Sequence, residues 1–209
     1  MPTRKNTKPA LSDTDQDHVS LERIIFFSDA VFSIAVTLLV LEIRLPTDAH
    51  ELTNEELLRY LLGLWPKYLG YVLSFLIVGS FWLGHHRRFR FIQRYDAKLI
   101  FMNLCLLMFI AFIPFPTAII SEHGNQVGTI FYALAISVTG LLSTSIWVYA
   151  SRHHRLIDPT ISAHDIRRDT LRQLAVPVVF LLSVGIAFFN YDLAKFAWIL
   201  VAPVVLLIH

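Results

Sequence analysis

The sequence predicts an all-α membrane protein with six transmembrane helices and both termini in the cytoplasm. Three observations predict this class. Apolar residues make up 55% of the 209 residues and charged residues only 16%, well below the roughly 25% that is typical of soluble domains. Apolar runs long enough to cross a bilayer recur along the chain. Lysine and arginine cluster between these runs on alternate sides.

The chain is expected to form one membrane domain, residues 19–209, after a cytoplasmic tail, residues 1–18, whose polar composition predicts disorder. The first span is predicted from Leu21 to Ile43, before Pro46. Thr53 and Glu56 are spaced as a capping box that opens a short surface helix. The remaining spans are predicted at about 66–84, 99–120, 127–150, 171–189 and 193–208.

The positive charges set the predicted orientation. They concentrate in the tail and in the loops after the second and fourth spans, and they are sparse on the opposite side. Cytoplasmic loops carry such an excess, so both termini are expected in the cytoplasm and the protein in the inner (plasma) membrane of the cell. The arginine-rich loops suit anionic lipid, whereas nucleic-acid binding lacks an aromatic and basic platform.

The sequence contains few features that are typical of an enzyme. Cys105 is the single cysteine, so an intramolecular disulfide is excluded. We find no nucleophile–base pair, phosphate loop or paired acid/base carboxylates, and we expect no enzyme. Two histidine pairs, His85–His86 and His153–His154, invite a metal or haem site. Adjacent histidines on a helix point about 100° apart, but a haem protein or membrane enzyme using His86 or His154 remains an alternative.

The first span carries two features on different faces. Ile34, Leu38 and Leu41 share one stripe at helical spacing, and Asp29 lies on the far side. A carboxylate inside a membrane is costly and faces protein or a water-filled cavity. Asp29 therefore either bonds to another span or carries protons in a transporter or proton channel. Partners at matching depth at the end of the second span are Trp82, His85 and His86.

Two short motifs make the chain resemble a known family. Arg23, Phe27, Ser28 and Asp29 form R-x-x-x-F-S-D, and residues 81–86 read F-W-x-x-H-H. Both patterns resemble the transmembrane protein 175 family, the endo-lysosomal potassium channels and their bacterial relatives. The resemblance covers nearly the whole chain after residue 18.

The resemblance implies a homotetramer in which the first spans line a central pore for passive potassium conduction. The constriction positions of the family fall on Ile34, Leu38 and Leu41, with the family threonine at Thr37. Potassium ions would pass near Ile34 and Thr37. No cofactor is implied, and the partners would be membrane lipid and permeant cations, with neither nucleic acid nor another small-molecule substrate.

The remaining candidate residues lie at the two ends of the first span. The motif residues Arg23, Phe27, Ser28 and Asp29, together with Trp82, His85 and His86, are expected to hold the span in place at the inner end of the pore. Asn103, inside an apolar run, is a further candidate for a hydrogen bond between helices. At the outer end, Glu42 forms either a carboxylate ring that concentrates cations or a solvated or Arg44-paired side chain.

Overall fold

The computed structural model describes residues 13–46, 50 and 52–199 of the chain. Eight α-helices lie within these residues, and short 3-10 turns follow the first helix at Val40–Glu42 and the sixth at Arg152–His154. The helices are α1 (Asp13–Leu39), α2 (Asn54–Gly63), α3 (Trp65–Phe89), α4 (Ala97–Phe112), α5 (Pro114–Glu122), α6 (Gln126–Ser151), α7 (Ala163–Ala187) and α8 (Tyr191–Ile199).

Five stretches of the described residues are long and apolar enough to cross a membrane, and they match the first five predicted spans. The sixth predicted span begins in α8, and its remainder, residues 200–208, lies outside the described residues. The five stretches are Leu21–Glu42, Trp65–Phe89, Ala97–Glu122, Gln126–His154 and Ala163–Ala187.

Two helices begin earlier than predicted. Helix α1 begins at Asp13, so residues 13–18 are helical, whereas the sequence placed them in a disordered tail; residues 1–12 lie outside the described residues. Helix α7 begins at Ala163 and not at 171, because the Ser162 hydroxyl accepts a hydrogen bond from the Asp165 amide at 3.1 Å. Caps and acidic first turns extend helices beyond the apolar segment from which the spans were predicted.

The predicted capping box at α2 is confirmed. The Thr53 amide and hydroxyl donate to the Glu56 carboxylate at 2.8 and 2.7 Å, and the Glu56 amide donates to the Thr53 hydroxyl at 3.4 Å. The Thr53 amide, followed by its hydroxyl, lowers the pKa of Glu56. No residue of α2, residues 54–63, is buried, which fits a helix lying on the surface of the protein.

Prolines divide the third span into two helices and lie inside the fifth. The third span is divided into α4 and α5 at Ile113, and Pro114 and Pro116 lie at the start of α5, where a missing amide hydrogen costs least. Pro177 lies inside α7 and packs against Gly140 of α6. A β-carbon at Gly140 would lie 2.9 Å from three atoms of the proline ring, so these two helices approach closely because residue 140 has no side chain.

The loops after α3 and α6 are joined at one end of the helices. Ile92 and Ile157 form an antiparallel bridge, in which the Gln93 amide donates to the Leu156 carbonyl at 2.8 Å. The Arg155 guanidinium pairs with Asp96 at 3.1 Å. The two arginine-rich loops therefore lie at the same end of the protein, which is the arrangement that the predicted alternation of spans requires.

Candidate pore helix and its anchoring network

Helix α1 presents one row of residues to the protein's own core. Ser28, Phe32, Ala35 and Leu39 are all buried, with Ala35 and Leu39 completely inaccessible. Their spacing of four, three and four residues places them on one stripe of the helix. This stripe packs against α3 and α4, so the fold itself determines the orientation of α1.

A second row, which runs along α1 and into the 3-10 turn after it, faces away from the core, about a third of a turn from the first. Ile34, Leu38 and Leu41 expose 58%, 39% and 56% of their surface, and Thr37 is exposed beside them. The four residues that were predicted as a constriction therefore lie together on one open face. Phe27 continues this row toward the amino end.

The Thr37 side chain is turned toward its own helix. Its hydroxyl donates a hydrogen bond to the Ile34 carbonyl at 2.8 Å. The proton is thereby committed to the backbone, and the oxygen lone pairs remain available as acceptors. An exposed hydroxyl oxygen with its proton held elsewhere is suited to coordinating a cation.

Glu42 ends the 3-10 turn that follows α1, and it is partly exposed. Arg44 donates its Nε hydrogen to the Leu41 carbonyl at 3.0 Å. Within the described residues Arg44 and Glu42 do not form an ion pair. The Tyr60 hydroxyl donates to the Arg44 carbonyl at 3.0 Å, which joins this turn to α2. Among the described residues, Glu42 makes no side-chain hydrogen bond or ion pair that would occupy its carboxylate.

Asp29 is bonded across to α3. Its Oδ1 atom accepts a hydrogen bond from the Trp82 indole at 2.8 Å. The sequence offered Trp82, His85 and His86 as partners of Asp29, and the partner in the structure is Trp82. His86 lies against the same indole, with ring centroids 5.8 Å apart. The contact joins α1 to α3 on the side of α1 opposite the Ile34 row.

Ser28 belongs to a separate, fully buried chain of hydrogen bonds. Its hydroxyl donates to the Ile24 carbonyl at 2.8 Å and accepts from Asn103 Nδ2 at 2.9 Å. The Asn103 amide oxygen then faces His85 Nε2 at 2.9 Å. Because that oxygen only accepts, Nε2 of His85 carries the hydrogen. One chain of bonds thus joins α1, α4 and α3.

The two motifs therefore hold α1 at two places, Asp29 and Ser28, and the adjacent histidines His85 and His86 point in different directions. His85 stacks on Phe89 in the interior at 4.1 Å between ring centroids, whereas His86 is exposed beside Trp82. Among the described residues, no three histidine, cysteine, aspartate or glutamate side chains are grouped to hold a metal ion. Arg23 is exposed, and in the described part of the chain it has neither a hydrogen bond nor an ion pair.

Sequence reasoning missed two buried polar groups. Arg88 was counted as a loop charge, but it is buried and donates through Nη2 to Ser143 of α6 at 2.7 Å. Ser74 bonds to Thr117 at 2.8 Å and to Tyr132 at 2.9 Å, which joins α3, α5 and α6. The available signal for Arg88 was its i+3 spacing from His85, which places both side chains on one face of α3.

Comparison with known proteins assigns this arrangement to a family. A family model described as "Endosomal/lysosomal potassium channel TMEM175" matches residues 23–114, which include α2, α3, α4 and the larger part of α1. A protein of Streptomyces collinus named as a potassium channel is 35% identical over 177 residues, covering 82% of this chain and 84% of the relative.

A solved structure and a vertebrate relative extend the comparison. The crystal structure of a lysosomal potassium-selective channel TMEM175 homologue from Chamaesiphon minutus superposes with a TM-score of 0.78 at 30% identity, covering 90% of this chain and 97% of that one. A Danio rerio protein named endosomal/lysosomal proton channel TMEM175 is 27% identical over 209 residues, and the match covers 38% of its length. Relatives of this kind are ion channels and not enzymes. The chain therefore belongs to the TMEM175 family of potassium channels.

Proposed function

We propose that the chain assembles as a homotetrameric, potassium-selective channel in the inner membrane of the cell, with α1 of each subunit lining one central pore. One observation carries the proposal: α1 and the 3-10 turn after it leave the apolar row Ile34, Leu38 and Leu41 exposed, while a row about a third of a turn away is buried in the fold of its own subunit. A helix held in this way presents the same face from every copy. Four copies around an axis then enclose a narrow apolar passage.

The constriction acts through the cost of removing water from an ion. Rings of Ile34, Leu38 and Leu41 give an ion little in return for its hydration shell, and an apolar ring of this kind gates by losing its water. Potassium, the larger ion, gives up water at lower cost than sodium. The Thr37 oxygens, whose protons are bonded to the Ile34 carbonyls, coordinate the partly dehydrated potassium ion beside the first ring. The channel needs no cofactor.

Four of the motif residues, Ser28, Asp29, Trp82 and His85, hold the proposed pore helix in position. The Asp29–Trp82 bond and the Ser28–Asn103–His85 chain fasten α1 to α3 and α4. The Glu42 carboxylates, one from each subunit, form a ring at the outer mouth that raises the local concentration of cations. With six spans and cytoplasmic termini, the arginine-rich loops after α3 and α6 lie on the cytoplasmic side, and their shared end in the fold supports this topology.

The test is ion flux from liposomes that contain the purified protein. A potassium gradient and then a sodium gradient are applied, with a proton-sensitive dye inside. We expect potassium flux that follows its gradient, exceeds sodium flux and requires no proton movement. Potassium flux that stops unless protons move with it in fixed ratio would refute a passive channel.

Proton conduction through the same pore is the second candidate. It is favoured by one finding, the naming of the vertebrate relative as a proton channel. The variant Asp29→Asn distinguishes proton conduction through the pore from proton transport by Asp29 itself. If protons use the pore, the variant still conducts them, because Asp29 is engaged with Trp82 on the other side of α1. If Asp29 itself carries protons in a coupled transporter, the variant loses proton movement.

A further inference from the structure

A cavity between α3, α6 and α7 lies apart from the proposed pore. It has a volume of about 50 Å³ and is lined by ten residues of these three helices. Its polar lining consists of three arginines, two serines and a glutamine: Arg87, Arg88, Arg172, Ser80, Ser143 and Gln173. None of these residues belongs to α1, so the cavity needs a separate explanation.

Arg88 is the buried cation at this cavity. Its side chain is 6% exposed, and Nη2 donates to the Ser143 hydroxyl at 2.7 Å. Its Nη1 atom is buried and has no hydrogen-bond partner among the described residues. Gly84 leaves room for the guanidinium, since a β-carbon there would lie 3.2 Å from Nη2. A buried guanidinium with an unpaired donor favours the binding of an anionic group, because unpaired buried charge is strongly unfavourable.

Two neighbouring side chains also lack partners at buried atoms. Arg87 Nε and Gln173 Oε1 have no hydrogen-bond partner within the part of the chain that the structure describes. The nearby carboxylate of Asp169 accepts from Gln173 Nε2 at 2.6 Å, and it offsets only one of the three guanidinium charges. The cavity therefore combines positive charge and free donors with one free acceptor.

The cavity lies at the end of the protein where lipid headgroups are expected. Arg87 and Arg88 are in the last turn of α3, and Ser143 is eight residues before the end of α6. The helix ends at this side lead into the two joined arginine-rich loops. The arginine side of the cavity therefore lies toward the helix ends, where the phosphate groups of a bilayer are expected.

We propose that this cavity binds a phosphate group, supplied either by an anionic lipid headgroup or by free phosphate. Guanidinium groups bind phosphate oxygens through paired, charge-assisted hydrogen bonds, which supplies partners for Arg88 Nη1 and Arg87 Nε. The free acceptor, Gln173 Oε1, takes a hydrogen bond from a hydroxyl carried with the phosphate, as in hydrogen phosphate or a glycerol headgroup. Arg172 adds the third positive charge.

The experiment measures binding to the purified full-length protein in detergent. The probes are inorganic phosphate, dihexanoyl phosphatidylglycerol and dihexanoyl phosphatidylcholine, and the readouts are melting temperature against probe concentration and bound mass in native mass spectrometry. The test variants are Arg172→Gln and Arg88→Gln. The matched control is Arg90→Gln, which removes the same charge from the same end of the protein at an exposed residue outside the cavity lining.

We expect Kd to rise on the order of tenfold in Arg172→Gln and in Arg88→Gln, the loss expected for one charge-assisted hydrogen bond, and less than about twofold in the control, whose charge is screened. Phosphatidylglycerol binding without phosphate binding identifies a lipid site, and the reverse identifies a free-anion site; both support the proposal. Should Arg88→Gln fail to fold, Arg172→Gln and Arg87→Gln decide the question. Absence of binding by both anionic probes, or an equal loss in Arg90→Gln, overturns it.

Discussion

Asn103 joins three helices through a single side chain. It donates to Ser28 of α1 and accepts from His85 of α3, while its own backbone lies in α4. All three side chains are buried, so none of them has water as an alternative partner. The chain of bonds also fixes the direction of each hydrogen, since the Ser28 proton is given to the Ile24 carbonyl.

Replacing Asn103 with leucine tests the strength of this link. Both interhelical bonds are lost, and each is worth on average about 0.6 kcal/mol and at most about 1.7 kcal/mol in membrane proteins. We therefore expect a loss of about 1–3 kcal/mol in the free energy of unfolding, seen as a lower melting temperature in detergent. Ser145→Ala is the control, since the Ser145 hydroxyl bonds only to the carbonyl of Leu141 in its own helix. An Asn103→Leu melting temperature equal to that of the control would contradict the assigned role.

Substitutions in the exposed row of α1 should change the ion selectivity of the proposed pore. Ile34→Ala and Leu38→Ala should widen the proposed apolar ring, so sodium and caesium flux should rise relative to potassium flux in liposomes. Because both side chains point away from the core, the melting temperature should stay nearly constant. Leu104→Ala, at an exposed position of α4, serves as the control and should leave ion ratios unchanged. Unaltered selectivity in both α1 variants would refute the apolar constriction.

At the scale of helices, the close packing of α6 against α7 depends on the absence of a side chain at Gly140. A β-carbon at Gly140 would lie 2.9 Å from three atoms of Pro177, and a proline ring cannot rotate away. Gly140→Ala should therefore push the helices apart and lower the free energy of unfolding by about 1–3 kcal/mol, as overpacking does. Gly185→Ala on α7 is the matched control, because a β-carbon there meets nothing within 4 Å. The control should be neutral or slightly stabilising, and equal melting temperatures for the two variants would exclude the close packing.

Asp96, the N-cap of α4, predicts that the stability of the fold depends on pH. Partial burial acts to raise the pKa of Asp96, but hydrogen bonds from Tyr149 and the Leu99 amide and the charge of Arg155 outweigh it and lower the pKa. The ionised form therefore stabilises the fold above the ordinary pKa of 3.8, and this contribution is lost as pH falls below that value.

Asp96→Asn isolates that contribution, because asparagine retains the ability to cap a helix. At pH 7 we expect the variant to be less stable by about 0.5–1 kcal/mol, as for a partly exposed ion pair. The difference from the unmodified protein should shrink as the pH falls below 3.8, measured by melting temperature from pH 7 to pH 3. A difference that stays constant over this range would assign the effect to packing and not to charge.

The sequence predicts the order of the helices more completely than it predicts the residues at which they begin and end or the contacts between them. Apolar length placed the first five spans, and the Thr53–Glu56 spacing placed the α2 cap. The start of α7 was missed because its first turns are polar and are fixed by Ser162. Contacts such as Asp29 with Trp82 require the rotation of one helix against another, which depends on how all the buried side chains pack together.

At the scale of the whole assembly, Arg23 tests the proposed tetramer. It is exposed, and within the described residues it has neither an ion pair nor a hydrogen bond, as expected of a residue that meets a neighbouring subunit. Arg23→Ala should lower the tetramer fraction in native mass spectrometry while the monomer stays folded. Arg168→Ala, which removes an exposed charge from α7, should leave that fraction unchanged. A normal tetramer fraction in Arg23→Ala would exclude Arg23 from the subunit interface.

The division of α1 into a buried row and an exposed row has a consequence for how such channels diverge. Phe32, Ala35 and Leu39 are constrained by the neighbours that surround them in the core. Within the described residues Ile34, Leu38 and Leu41 are exposed to 58%, 39% and 56%, so we expect their exchange to change the proposed pore with little effect on the fold. New conduction properties can therefore arise by single substitutions in an unchanged scaffold, and natural variation along this helix should alternate between restricted and permissive positions with the period of the helix.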